Sequence, residues 1–154
     1  MTIDARLAEL GIALPAPRAP AFAYVPVAFE GDLAWVSGQL PWGADGGLPK
    51  GKIGAGISVD EGKAAARLCV LNGLSVLRET IGSLDRVRRI VKVVGFVASA
   101  PGFVEQPAVI DGASNLLGEI FGAAGRHARS AVGVAELPRG VPVEVEFVAA
   151  IAGA

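Results

Sequence analysis

The segment from Arg126 to Glu146 contains the charged residues with the clearest chemical pattern in the chain. Arg129 begins one valine-rich stretch, and Glu144 and Glu146 stand in a second one after a Leu-Pro-Arg-Gly turn. A spacing of two places both glutamates on one face of a strand. A guanidinium offers paired donors that match a carboxylate, and a partly desolvated carboxylate can manage protons on water. These residue types therefore suit a site for a small acid. The alternatives are an ion-pair role for Arg129 and a solvated strand face for the glutamates.

Other reactive side chains are few. His127 is the only histidine, and it could act as a base, although a structural role is the commoner one for such a residue. The single cysteine, Cys69, excludes an internal disulfide, and its helical spacing indicates a core position. The glycine-rich stretch 43–56 lacks the spacing of a phosphate-binding loop. We expect neither a metal nor an organic cofactor.

The elements that must position these residues follow from hydrophobic periodicity and turn signals. Ser58 and Glu61 form a capping box, which predicts a helix that starts there and stops at Gly82. A hairpin is expected around residues 30–32. The predicted order is β-β-α-β-α-β-β, with the strands at 22–29, 33–39, 87–97, 130–134 and 141–151 and the second helix at 106–121.

Residues 1–20 are expected to form a short helix over 3–10 and a proline-rich lead-in, and residues 21–154 to form one domain. The fold class is α+β, with two helices on one face of a sheet and an apolar face left open. The chain is 52% hydrophobic and only 19% charged, with a mean hydropathy of +0.51. The open face is therefore expected to meet copies of itself around an axis. The alternative is that the many alanines and 21 glycines inflate the hydropathy.

Charge and hydropathy also limit the partners. The net charge is −1 and the pI about 5.8, so no nucleic-acid partner is expected. Arg86, Arg88 and Arg89 are interpreted as a solvated strand entry. No apolar stretch is long enough for a membrane span, and residues 1–17 lack the apolar core of a signal peptide. We expect a soluble, cytoplasmic protein.

The motifs together resemble one known family. The string from Ala128 to Glu146, with its Ala-Arg pair, Leu-Pro turn and Val-Glu-Val-Glu strand, resembles the signature of the RidA/YjgF family. The Ser37-Gly38-Gln39 motif followed by Pro41 is similar to that family's N-terminal strand motif. Tyr24 stands thirteen positions before Ser37, as the family's active-site tyrosine does. The resemblance extends over residues 24–151.

The resemblance implies a chorismate-mutase-like fold and a homotrimer with a barrel-like core and three sites in the clefts between subunits. It also implies hydrolysis of 2-imino or enamine acids, released by pyridoxal-phosphate enzymes, to 2-keto acids and ammonia. Arg129 would hold the substrate carboxylate and Glu144 the attacking water, while Tyr24 and Ser37 would line the pocket. Asp111 falls near the family's pocket asparagine.

Some positions depart from the family pattern. Many deaminase members have a cysteine two residues after the arginine, where this chain has Ala131. Direct attack by water remains possible on this pattern, and so does a non-catalytic module that binds small acids on the same trimer. Endoribonuclease activity, attached to some relatives, is disfavoured by the charge balance. Trp42 and the loop 99–103 are expected to give the pocket its own shape.

Overall fold

One five-stranded sheet with helices on one face organises the chain in a computed structural model, which describes residues 1–153. Its main elements confirm the predicted order of strands and helices. The elements are α1 (Ile3–Glu9), β1 (Val27–Glu30), β2 (Leu33–Gln39), β3 (Lys52–Ile53), β4 (Gly56–Ile57), α2 (Val59–Ile81), β5 (Val87–Ala98), α3 (Gln106–Phe121), β6 (Ala128–Val134) and β7 (Val143–Ile151).

The strands of the sheet lie in the order β1-β2-β7-β5-β6. Neighbouring strands are antiparallel except β5 and β6, which are parallel and are connected through α3. A parallel pair needs such a crossover, because the chain must return to the same end of the sheet. Strands β6 and β7 follow one another in sequence but are separated by β5. Strand β6 therefore forms one edge of the sheet.

Local signals define α2 clearly. Ser58 accepts a hydrogen bond from the Glu61 backbone N–H, and the Glu61 carboxylate accepts one from the Ser58 N–H, so the predicted capping box is present. The helix ends at Gly82, whose φ of 85° suits a residue without a Cβ. A helix with this cap and an apolar stripe buries that stripe against the sheet.

Both long helices pack on the same face of the sheet. Gly73 of α2 lies against Phe147 of β7, and Gly95 of β5 lies against Ile110 of α3. The two helices also touch each other where Gly112 of α3 meets the Lys63 backbone of α2. Close approaches of this kind need glycine, because a Cβ would occupy the space of the neighbour. The core lies in this layer.

The opposite face of the sheet carries Trp35, Lys92, Val94, Glu146 and Val148. Trp35 is 53% exposed in the single chain. Among residues 1–153, no helix packs on this face, since α2 and α3 both lie on the other side. A large exposed tryptophan on a concave sheet face marks a surface for a ligand or for another chain.

The start of the first strand differs from the prediction. Residues 22–26 are irregular, and pairing begins only at Val27. Pro26 has no backbone N–H to donate to a ladder, which limits pairing at this position. Phe22 and Val25 are exposed, so these apolar side chains are not part of the core of a single chain.

Two further predictions concern the ends of the sequence and its loops. The glycine-, proline- and lysine-rich stretch 42–56 is predicted from the sequence to be a loop, but it contains β3 and the first residue of β4, which pair in parallel. Helix α1 lies within the predicted range 3–10, while the domain boundary at residue 20 stays a prediction. No helix among residues 1–153 has the length and apolar character to cross a bilayer.

Candidate functional site

A groove of about 730 Å³ runs over the open face of the sheet. Three residues singled out from the sequence, Tyr24, Ser37 and Glu146, line it together with Lys92. Tyr24 is 52% exposed, and the Ser37 hydroxyl donates to the Val25 carbonyl oxygen at 2.7 Å. That bond ties the irregular segment before β1 to β2, so it fixes one wall of the groove.

A β-bulge in β2 shapes the end of this groove. Val36 pairs with Phe147 and Gln39 with Val145, so Ser37 and Gly38 together face a single residue of β7. A bulge bends its strand and redirects the side chains around it. Here it places the Gly38 backbone directly against the Glu144 carboxylate, where a Cβ on residue 38 would overlap Oε1 and lie 3.1 Å from Cδ. Only glycine leaves room for Glu144 in this position.

Glu144 has the electrostatics of a proton acceptor. It is partly buried in β7, and this burial raises the pKa of its carboxyl, with the neighbouring Glu146 carboxylate raising it further. Among residues 1–153 no cation lies within 4.0 Å of it. A carboxylate without a counter-ion and with a raised pKa is suited to taking a proton from water. We call Tyr24 and Ser37, which line the groove, together with Gly38 and Glu144, which adjoin Ser37 at the bulge without lining the groove, the groove site.

Arg129 lies elsewhere, at the edge of the sheet. Its Nη1 donates to Asp111 Oδ1 at 2.7 Å and to Ser114 Oγ at 3.2 Å, and its Nη2 donates to the Pro107 carbonyl oxygen at 3.3 Å. All three acceptors belong to α3. The structure therefore brings two residues singled out from the sequence, Arg129 and Asp111, into one ion pair.

His127 belongs to the same cluster. Its Nδ1 lies 2.6 Å from the Gly125 carbonyl oxygen and its Nε2 lies 2.9 Å from Ser114 Oγ. Partial burial lowers the pKa of the imidazole, and the charge of Arg129 lowers it further, against an opposing effect of the Gly125 bond. A neutral His127 must donate through Nδ1 to the carbonyl, since a carbonyl oxygen only accepts. We call Asp111, Ser114, His127 and Arg129 the edge site.

A cavity of about 290 Å³ adjoins the edge site. Its lining contains no carboxylate and consists of Ser114, Gly118, Gly125, Arg126, His127 and Arg129. The two glycines contribute no side chains, which leaves space beside the guanidinium. A cavity with cationic and neutral polar walls favours an anionic ligand.

Within one chain, the groove site and the edge site are separate. Glu144 pairs with Phe96 of β5 on the open face, whereas Arg129 pairs with Val93 of β5, whose side chain is buried under the helices. The two charged residues therefore lie on opposite faces of the sheet with β5 between their strands. Each site holds only part of the chemistry that the sequence suggested.

Sequence reasoning missed Ser114 and gave His127 only a minor role. Two signals pointed to them. Ser114 follows Asp111 by three positions, which puts both on one face of a helix. His127 precedes Arg129 by two, which puts both on one face of an extended chain.

Cys69 and Trp42 lie outside both sites. Cys69 is buried in α2, and burial raises the pKa of its thiol well above the ordinary range, with the Glu144 charge adding to the effect. Trp42 is flanked by Arg18, at 4.2 Å from its ring centre, and by Arg139, at 5.5 Å. Among residues 1–153 no three His, Cys, Asp or Glu side chains group in a way that could hold a metal ion.

Comparison with known proteins identifies the family. Residues 4–146 match the model of the family described as YjgF/chorismate mutase-like, putative endoribonuclease. Protein TCP17 of Trypanosoma cruzi is 50% identical over 145 residues, which is 94% of this chain and 91% of that protein.

Solved structures give the same result. The protein Atu1372 of Agrobacterium tumefaciens, described as of unknown function, is 43% identical with a TM-score of 0.88, over 97% of this chain and 92% of the other. A putative endoribonuclease of Shewanella oneidensis MR-1 is 36% identical with a TM-score of 0.94, over 98% and 100%. The chain therefore belongs to the YjgF/chorismate mutase-like, putative endoribonuclease family.

Proposed function

We propose that this protein hydrolyses reactive 2-imino and enamine acids to 2-keto acids and ammonia. The reaction would take place where the edge site of one subunit meets the groove site of the next in a homotrimer. The observation that carries the proposal is that the two reactive side chains of one chain lie apart, in two incomplete sites. Arg129, which can anchor an acid, lies at a sheet edge, and Glu144, which can accept a proton, lies without a counter-ion on the other face.

Arg129 is suited to anchor the substrate carboxylate. Its bonds to α3 occupy both Nη1 hydrogens and one Nη2 hydrogen, so the Nε hydrogen and one Nη2 hydrogen have no partner among residues 1–153. Adjacent guanidinium donors of this kind match the two oxygens of a carboxylate. The guanidinium is held in place before the ligand arrives, which reduces the entropic cost of binding.

Glu144 would manage the protons of the reaction. Water adds to the carbon of the protonated imine as Glu144 accepts one of its protons, and this gives a neutral carbinolamine. Glu144 then returns the proton to the amino nitrogen. As the C–N bond breaks, Glu144 accepts the proton of the carbinolamine hydroxyl, so the products are a 2-keto acid and ammonia. Water is the only co-reactant in this balance. Because the imine carbon is already electrophilic, positioning and one proton acceptor are sufficient.

Association of three copies would complete the site. Strand β6 is an unpaired edge within the described chain, and the groove of a neighbouring open face presents Trp35 and Tyr24 as exposed aromatic surface. Joining these surfaces would cover apolar area and bring Arg129 to the Glu144 of the next subunit. The ligand would be a small organic acid, and we propose the cytoplasm as the compartment.

A coupled assay tests this proposal. Threonine dehydratase generates 2-aminocrotonate and 2-iminobutanoate from threonine, and the rate of 2-oxobutanoate release is followed with and without this protein. We expect faster release, a trimeric mass by light scattering, and loss of the acceleration in Arg129→Ala without loss of the trimer.

Two outcomes would refute the proposal. A monomeric mass at assay concentration would remove the shared site. An unaccelerated reaction with 2-oxobutanoate still bound at Arg129 would instead make the protein a binding module, as the alanine at position 131 suggests. A parallel incubation with single-stranded RNA distinguishes a ribonuclease, which would cleave it.

A further inference from the structure

A one-directional chain of hydrogen bonds leads to the guanidinium of Arg129. His127 Nδ1–H donates to the Gly125 carbonyl oxygen, so the neutral imidazole presents Nε2 as an acceptor. The Ser114 hydroxyl then donates to Nε2 at 2.9 Å, and Ser114 Oγ accepts from Arg129 Nη1 at 3.2 Å. Every member of this chain has one possible role, because the carbonyl can only accept and the guanidinium can only donate.

We propose that Ser114 and His127 are positioning residues for Arg129, which hold its guanidinium in the orientation that receives the substrate carboxylate. This inference rests on the proposed function, since Arg129 is the anchor there. It adds a requirement for two residues that need not touch the substrate themselves.

The ion pair with Asp111 is only one of the contacts that hold Arg129. The Asp111 side chain is 53% exposed, against 23% for Arg129, so water and salt weaken this pair. Asp111 also brings a negative charge, which opposes the approach of a second carboxylate. Ser114 fixes Nη1 without adding charge, so the guanidinium keeps its attraction for an anion. His127 in turn fixes the hydroxyl, which would otherwise rotate.

A serine hydrogen-bonded to a histidine could also be a nucleophile. Two features argue against that role for Ser114. Its oxygen already accepts from Arg129, and it lies inside α3, where the backbone N–H groups bond within the helix and cannot stabilise an oxyanion.

The charged groups around His127 are the two arginines of its own segment, Arg126 and Arg129, and the carboxylate of Asp111 on α3 beyond Arg129.

Substitution of Ser114 tests this chain of hydrogen bonds through its effect on ligand binding. The Kd for 2-oxobutanoate and the KM and kcat of the coupled reaction are measured for Ser114→Ala, Ser114→Thr and the control Asn115→Ala, an exposed neighbour on the same helix. We expect Kd and KM to rise about tenfold in Ser114→Ala with kcat nearly unchanged, because one of three bonds holding the anchor is lost. Ser114→Thr keeps the hydroxyl and should restore both constants. Equal constants in Ser114→Ala and the control would overturn the proposal, as would failure of the threonine to restore them.

A ligand-free measurement separates this inference from the proposed function. The ¹⁵N spectrum of the imidazole should show the Nδ1-protonated form of His127 in the native protein at neutral pH. The guanidinium resonances of Arg129 should broaden or exchange faster in Ser114→Ala and in His127→Leu, but much less in His127→Gln, whose amide oxygen can still accept from Ser114. If the native protein binds no keto acid, the proposed function fails, while these spectra still test whether Ser114 and His127 hold Arg129 in place. An Nε2-protonated imidazole, unchanged Arg129 resonances, or labelling of Ser114 by a fluorophosphonate would overturn it.

Discussion

Replacing Gly38 by alanine should abolish most of the activity while leaving the fold intact. The new Cβ would overlap Glu144 Oε1 and lie 3.1 Å from Cδ and 3.4 Å from Cγ. Carbon atoms pack at about 3.5–4.0 Å, so the carboxylate must move by roughly 1 Å. Because the overlap is with the end of a flexible side chain, rotation relieves it, and the free energy of unfolding should fall by less than about 1 kcal/mol.

The same displacement should be costly for catalysis. A shift of about 1 Å in a reacting group can lower the rate by about a hundredfold, so we expect kcat in the coupled assay to fall between about tenfold and a hundredfold. Thermal unfolding of the same samples measures stability.

A matched control is Gly43→Ala, in which the new Cβ would lie 2.8 Å from the Asp45 carboxylate in a surface loop. This control should keep full activity. Native kcat in Gly38→Ala, with its structure unchanged elsewhere, would show that the position of Glu144 is not needed for the reaction.

Further predictions address single positions. Arg129→Lys should raise the Kd for 2-oxobutanoate by about tenfold or more, measured by calorimetry, because an ammonium cannot offer paired donors. The raised pKa of Glu144 stabilises the folded protein at acid pH, and this contribution is lost as pH rises above its ordinary value of 4.5. Glu144→Gln does not titrate, so its Tm relative to the native protein should increase between pH 4 and pH 7, and a constant difference would contradict the assignment. Gly112→Ala should lower the free energy of unfolding in urea by about 2–3 kcal/mol, since its Cβ would lie 2.8 Å from backbone atoms of Lys63 that cannot rotate away. Cys69 should react with a thiol reagent only after unfolding, because it is buried and its thiol pKa is raised.

Sequence reasoning located the helices better than the strands. The bounds of α3 and the cap and end of α2 were predictable because they depend on nearby residues, such as Ser58, Glu61 and Gly82. The start of β1 depended on pairing with β2 and on Pro26, which periodicity does not describe. The separation of β6 from β7 by β5 is a long-range pairing, which no local pattern encodes.

The candidate site was predictable only in part. Tyr24, Ser37, Asp111, Arg129 and Glu144 were identified through motif resemblance, and their roles stay predictions. The sequence did not reveal that they divide between two faces, because that depends on the order of the strands. Ser114 has no motif and acquires its importance only through the fold that brings α3 beside β6.

The bulge at Ser37 and Gly38 has a consequence for how this strand tolerates length changes. Val36 and Gln39 are three positions apart, yet both face the helix layer, since the bulge absorbs one residue. Deleting Gly38 would leave Val36 and Gln39 two positions apart, so the ladder would become regular with both side chains still facing the helix layer. It would, however, remove the residue that lies against the Glu144 carboxylate. A chain optimised only for regular sheet structure would discard this irregularity. In this chain the bulge serves the position of Glu144 and not the regularity of the strand.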